Sequence, residues 1–399
     1  MDTSKRKTAI KILIAGTVLQ FFIGILYVWS IFVAPISEHL NWAVESVMLT
    51  SSYMLGFFVI GIIIGGKLLT KLDSRTILFI GGMMLAAGIA ATPLVPQSHP
   101  WLVYLTYGVI GGTGIGMIYN TVLTAAQQWF PNRRGFAIGI CVSSFGFSAV
   151  VFAPVTEVLV SQIGVINTLY TVSIIIAISV LCLFRLIRLP ESSGANREVE
   201  FVGRQFETNE IIKTKQFYYM TLALVFGTPA YLVILPALKS LAIDRGLSAA
   251  VGTSLVMVAG MGNALGRLLA PIISEKAGRE NTLIAITAAT AICSLLLIFI
   301  SGVFLLPVVF IMAFCYGGPA GVNPVLASDY FGLKYIGGNL GAILIGLAIS
   351  ALFIPMLVGF IPSETVRFLV LAILSSIGVI LLMLLRTSRK RWLADVGRS

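Results

Sequence analysis

Twelve apolar runs of about 20 residues follow one another along the chain, and no other feature restricts its fold so strongly. They lie at 12–35, 46–69, 76–94, 101–128, 135–159, 164–187, 217–238, 249–273, 282–301, 304–327, 337–361 and 366–385. A segment needs about 20 mostly apolar residues to cross the hydrocarbon of a bilayer as a helix, which satisfies its backbone hydrogen bonds internally. Two divisions rest on slight punctuation, Ser161-Gln162 with Gly164 between the fifth and sixth runs and Ser301-Gly302 between the ninth and tenth. The first run is long enough to cross and lacks the small-residue cleavage site of a secretory signal, so it reads as a retained span. Only 11% of the 399 residues are charged and the mean hydropathy is +0.99, against about 25% charged residues in soluble domains. Soluble enzymes, nucleic-acid binders and disordered chains are thereby disfavoured, and an all-α polytopic membrane protein is expected.

The charges give that protein a direction. The net charge is +11, and 23 of the 27 Lys and Arg fall at the N-terminus, in the even-numbered loops or at the span ends beside them, or in the C-terminal tail. The odd-numbered loops hold Lys239, Arg245 and Arg367, and Arg267 belongs to no loop. Basic residues favour the cytoplasmic side, so both termini are expected there, in a plasma (inner) membrane. The basic tail at Arg389, Lys390 and Arg391 suits either topology or anionic lipid headgroups. Cys141, Cys182, Cys293 and Cys315 sit in apolar runs and read as small core residues. With two histidines, His39 and His99, no histidine-rich metal site is expected, and no cofactor is implied.

The longest polar stretch, about 188–215, nearly halves the chain and suggests three parts: a six-helix unit at 1–188, a cytoplasmic loop at 189–215 and a second six-helix unit with its tail at 216–399. Weak repetition supports duplication. Gly66-Lys-Leu-Leu-Thr-Lys71-Leu-Asp-Ser-Arg75 follows span two, and Pro271-Ile-Ile-Ser-Glu275-Lys276-Ala-Gly278-Arg279 follows span eight. Lys71 and Lys276 are 205 positions apart, and Trp129-Phe130-Pro131 and Tyr330-Phe331-Gly332 are offset by 201.

These loops resemble the G-x-x-x-D-[RK]-x-G-[RK] signature of the major facilitator superfamily. The second copy matches better, because Thr70 replaces the acid and Asp73 the later glycine in the first. A narrower resemblance is to the oxalate/formate antiporter group and the monocarboxylate transporters. It rests on Tyr27-Val28-Trp29 before Pro35, Gly112-x-Gly114-x-Gly116-x-x-Tyr119, Trp129-Phe130-Pro131-x-x-Arg134-Gly135, Lys215-Gln216-Phe217-Tyr218 and Arg267. The resemblance implies twelve helices in two pseudo-symmetric halves and transport of a small organic anion.

Arg267 is the sharpest chemical signal. It lies within the eighth apolar run, where an arginine at a helix centre costs at least about 2.5–3.5 kcal/mol. It should therefore face a wet cavity or a partner, and its planar fork suits a substrate carboxylate. The alternative is an internal ion pair with Glu157 or Asp329. Asn263 precedes Arg267 by one turn and shares its face, either as a ligand-binding amide or as a helix–helix hydrogen bond. In monocarboxylate relatives this position is often Asp and is thought to couple a proton, which Asn cannot do. Glu157 and Asp244 are the remaining candidates for proton coupling. Gly108, Gly112 and Gly116 recur at every fourth position of span four, a helix-packing stripe that continues to Asn120. Tyr119 projects about 100° away from Asn120. The hydroxyls of Tyr119, Tyr27 and Tyr316, with Asn120, complete the expected substrate-binding set, although a tyrosine taken singly is more often a packing or interfacial-belt residue. Trp29 reads evenly as cavity wall or packing.

The resemblance also implies an absence. Oxalate-exchanging members carry a second cation, a lysine in span eleven, where this chain has Leu347. One cation matches one carboxylate, since an unpaired second carboxylate in a low-dielectric site is costly. The expected function is that of a monomeric secondary carrier for a small monocarboxylate such as lactate, pyruvate or formate, with a proton or a counter-anion as co-substrate. The alternatives are a carrier of another organic anion or an amphipathic drug and, in a different class, a channel or a non-transporting sensor. No nucleophile–base pair or phosphate loop marks an enzyme.

Overall fold

The computed structural model describes residues 3–190, 204–235 and 238–396. Among them, ten helices are long and apolar enough to cross a membrane. One of these, Arg134–Leu183, holds spans five and six, because Gly164 breaks it with φ +76°, a left-handed conformation that glycine adopts without strain. The first span adds the twelfth crossing: Thr3–Ile23, a 3₁₀ stretch Gly24–Val28 and Trp29–Leu40. The other slight punctuation is also real, for span nine ends at Phe299 and Gly302 takes φ +66° before span ten. Two expectations need correcting. Span seven is interrupted at Thr228–Pro229 and runs as Lys215–Gly227 and Pro229–Ile234. Span twelve continues as one helix, Glu364–Val396, through the basic tail.

The chain forms two compact units. The first comprises residues 1–201 and 333–342, the second 202–332 and 343–399. In the first unit span two is Val44–Leu68, span three Ser74–Ala91, and span four a π-helical stretch Tyr104–Gly111 continued by Gly112–Trp129. In span four the glycine stripe does what the spacing predicts. Gly108, Gly112 and Gly116 lie against Tyr53, the Met54 carbonyl and the Phe58 carbonyl of span two, where a Cβ would collide. Close backbone approach is how small residues hold membrane helices together.

The second unit uses the same device reciprocally between span eight, Ala249–Ala277, and span ten, Leu305–Phe331. Gly262 and Gly266 lie against the Phe310 and Phe314 carbonyls, and Gly317 and Gly321 against those of Asn263 and Arg267. The loop signature after span eight is tied down by its arginine. Arg279 Nη1 donates to Ser274 Oγ at 2.6 Å and to the Pro271 carbonyl at 3.0 Å, while Nε lies 3.5 Å from Asp329 Oδ2. In the first copy Ser74 stands at the matching position and donates instead to the Ile187 carbonyl at 3.4 Å. The second duplicated pair differs in its partners: Trp129 Nε1 donates to the Arg188 carbonyl at 2.7 Å, whereas Tyr330 Oη donates to Glu280 Oε1 at 2.9 Å.

On the sparsely basic side, Arg245 closes a helix end. Its Nη atoms donate to the Ile300 and Leu297 carbonyls at 2.6 and 3.0 Å and pair with Glu364 Oε1 at 2.6 Å. A cation at the C-terminus of span nine and an acid in the first turn of span twelve both complement the helix dipoles.

Candidate functional site

Among the described residues, the buried side chains include two that carry charge, Arg267 at 5% exposure and Glu280 at 3%. Both belong to the second unit. Arg267 projects from the middle of span eight, where Gly262 and Gly266 have brought the helix close to span ten. Its Nε donates to Asn263 Oδ1 at 2.9 Å. The i, i+4 spacing puts the two side chains on one face, and a neutral amide holding Nε fixes the plane of the guanidinium. A guanidinium can meet a carboxylate in a paired geometry that lysine does not offer. Asp329, one of the two carboxylates expected as an ion-pair partner for Arg267, lies beside Arg279. Glu157 belongs to the first unit and is exposed. Asp244 closes the short helix Leu238–Asp244, and its side chain lies outside those described.

Tyr316 sits on span ten next to Gly317, whose own Cβ, if present, would lie 3.0 Å from Asn263 Oδ1. The Tyr316 ring stacks on Tyr231 with centroids 4.6 Å apart and planes at 25°. Tyr231 lies just past the break in span seven and is 2% exposed. Sequence reasoning missed it, yet a signal was there. Tyr27 and Tyr231 are 204 positions apart, and Gly24 and Gly227 are 203 apart, in step with the duplicated loops.

In the first unit, Tyr27 lies in the 3₁₀ stretch of span one and is 39% exposed. Its ring meets Phe145 edge-on at 5.4 Å, and Phe145 also meets Tyr119 at 5.3 Å. Phe58 completes the group, 5.1 Å from Tyr119. Phe145 is thus the hub of an aromatic cluster that the sequence did not single out. Tyr119 is buried within it, whereas Tyr27 is exposed. Asn120 must be corrected as a ligand-facing residue. It is fully buried, and its Nδ2 donates to the Ile62 carbonyl at 2.7 Å and to the Gly337 carbonyl at 2.9 Å. Trp29 is a packing residue: its Nε1 donates to the Val47 carbonyl at 3.1 Å, and its ring lies 4.3 Å from that of Tyr107.

Glu280 occupies the first turn of span nine, Arg279–Phe299, and is neutralised locally. Arg389 Nη1 donates to its two oxygens at 3.0 and 2.9 Å, and Tyr330 Oη donates to Oε1 at 2.9 Å. Arg389 therefore serves this ion pair, and the side chains of Lys390 and Arg391 lie outside those described. Trp392 stacks on Phe206 at 5.0 Å, and the Phe206 N–H donates to the Phe331 carbonyl at 3.0 Å. The tail helix and the segment after the central loop are thereby fastened to the ends of spans nine and ten. Next to this clasp, a capping box closes the helix Thr208–Ile211. The Glu207 backbone N–H, donating to the Glu210 carboxylate, holds that carboxyl below its ordinary range, with Arg204 adding to the effect.

Residues 12–355 match the family model of the Major Facilitator Superfamily. The chain belongs to that superfamily. It is a transporter built on the superfamily's twelve-helix, two-halved fold. Its relatives include the oxalate:formate antiporter of Oxalobacter formigenes, 26% identical over 83% of this chain and 79% of that protein. Monocarboxylate transporter 13 of Rattus norvegicus is 26% identical over 51% of this chain and 46% of that one. Among solved structures, the transporter FucP in its outward conformation superposes with a TM-score of 0.73 at 16% identity, covering 95% of this chain and 99% of that one. The human organic anion transporter MFSD10 gives 0.69 at 12% identity, covering 96% of this chain and all of that one. At such identities the structural likeness speaks for the fold.

Proposed function

We propose that this transporter is a secondary carrier for a small monocarboxylate of the lactate, pyruvate or formate kind. It works by alternating access between its six-helix halves, either as a proton symporter or as an anion exchanger. One observation carries the reading: a buried arginine in span eight whose Nε is engaged by the neutral Asn263. A buried guanidinium oriented by an amide is built to meet an anion, and intramembrane charges mark substrate or ion pathways by default. The names of the relatives, an oxalate:formate antiporter and a monocarboxylate transporter, point to the same class of cargo.

Leu347 favours one carboxylate over two, since a second negative charge would find no lysine at that position of span eleven. Asn263 does not titrate, so proton coupling, if the carrier uses it, falls to another group such as Glu157 or Asp244. Tyr316 and Tyr27 are assigned to the substrate path, with Tyr119 supporting Tyr27 through Phe145. Both termini are assigned to the cytoplasm of an inner-membrane protein, on the distribution of Lys and Arg. A thermal-shift panel on purified protein tests the reading. Lactate, pyruvate and formate should stabilise it, their amides should not, and oxalate should do so less. Stabilisation by amphipathic drugs but by no small carboxylate would favour the other carrier reading instead.

A further inference from the structure

We propose that the buried amides of Asn120 and Gln127 keep one seat in the first unit easily opened, and that this seat releases residues 333–342 during transport. The helix Ile336–Gly359 is divided: its opening residues, to Ala342, belong with the first unit and the rest with the second. The seat that holds those residues is made of backbone. Gly66 lies against Gly337 and Gly338 so closely that a Cβ on it would collide, and a Cβ on Gly341 would lie 3.0 Å from the Ile63 backbone. Asn120 Nδ2 adds a hydrogen bond to the Gly337 carbonyl at 2.9 Å, and Gln128 Nε2 one to the Leu333 carbonyl at 3.3 Å.

A seat packed this tightly would be hard to leave if it were satisfied throughout, and it is not. Asn120 Oδ1 accepts no hydrogen bond among the described residues, and neither Gln127 Oε1 nor Gln127 Nε2 has a partner. Both residues are 0% exposed. Seven positions apart on Gly112–Trp129, they fall within about 20° of one face. Buried amides nearly always find partners, and those left without them forfeit the hydration they would have in water. A leucine in place of Gln127 would pack there at no such cost. Withdrawal of 333–342 lets water reach the amides, so the closed seat is penalised relative to the open one. Once open, the Gln127 amide offers N–H donors to a passing anion, a step that rests on the reading of the cargo as a carboxylate. The penalty itself rests only on the chain's being a carrier.

The test measures opening directly, without substrate. Thr124→Cys, one turn from Asn120 and buried at 4% exposure, is introduced in a background lacking the four native cysteines. Its labelling by a small water-soluble thiol reagent then reports how often the seat opens. Adding Gln127→Leu, or the unbranched Gln127→Met, should slow labelling about tenfold, the change expected from removing one unsatisfied amide. Gln127→Glu should speed it, because a carboxylate is costlier still to bury unpaired. Labelling that is unchanged or faster with Leu and Met overturns the proposal. So does failure of both apolar variants to fold, which would show that the amide stabilises the closed seat. Because no cargo enters the measurement, these outcomes stand apart from any failure of the monocarboxylate assignment.

Discussion

Arg267 Nε and Asn263 Oδ1 are 2.9 Å apart on span eight, so the buried guanidinium is oriented by a neutral amide one turn away. If the Nη edge grips the substrate, Arg267→Gln should abolish carboxylate-induced thermal stabilisation while the protein still inserts and folds. Arg267→Lys should retain at most weak binding, since a point charge cannot reproduce the fork. The expected loss is about 1.5–3 kcal/mol, or about 10-fold to 150-fold in affinity. A folded Arg267→Gln protein with ordinary carboxylate binding would falsify the assignment.

Leu347 leads to a gain-of-specificity experiment. Leu347→Lys supplies a second cation and should move preference from monocarboxylates toward oxalate, read as the ratio of the two thermal shifts. Equal binding of oxalate and lactate by the unaltered protein would count against the one-cation argument.

The clasp on Glu280 predicts a stability effect. Arg389→Ala strands a carboxylate that is 3% exposed, with Tyr330 as its remaining donor. Breaking a buried pair from one side costs about 3–5 kcal/mol, and because Arg389 itself is 39% exposed the loss should fall at the lower end or below. Adding Glu280→Gln to Arg389→Ala should recover part of the melting temperature, because the stranded charge is then gone. A double variant no more stable than Arg389→Ala alone would mean that the charge is not what the clasp neutralises.

Glu210 gives the segment after the central loop a dependence on pH. Its carboxyl is held below the ordinary range, chiefly by the Glu207 backbone N–H. The folded value lies below the unfolded one, so its contribution is complete above the unfolded value, about 4.3. It is lost as pH falls through the folded value. Glu210→Gln at neutral pH should mimic the acid state and speed backbone hydrogen exchange at 207–211. Exchange there that matches the unaltered protein would remove the capping box as the cause.

The charge distribution predicts a topology. Tags at either terminus and beside Arg204 should be reached from the cytoplasm, and cysteines placed at His39 and His99 from outside. A C-terminal tag reached from outside would reverse the assignment.

Hydropathy alone determined the crossings, because a helix in lipid must satisfy its own backbone and announces itself as a continuous apolar run. The same local logic placed Arg267 and Asn263 on one face and read the Gly108, Gly112 and Gly116 stripe as a packing surface. Periodicity says which side chains share a face, but it does not say what that face meets. Asn120 lies 100° from Tyr119 in either account, yet only the fold brings it to the Gly337 carbonyl, 217 positions away. Glu280 and Arg389 are 109 positions apart and look like two unrelated loop charges until spans nine and twelve are packed. The aromatic cluster around Phe145 and the Tyr231–Tyr316 stack arise in the same way. Phenylalanine and tyrosine are ordinary in an apolar run, and what makes these rings a cluster is the neighbouring helix that tertiary packing sets beside them.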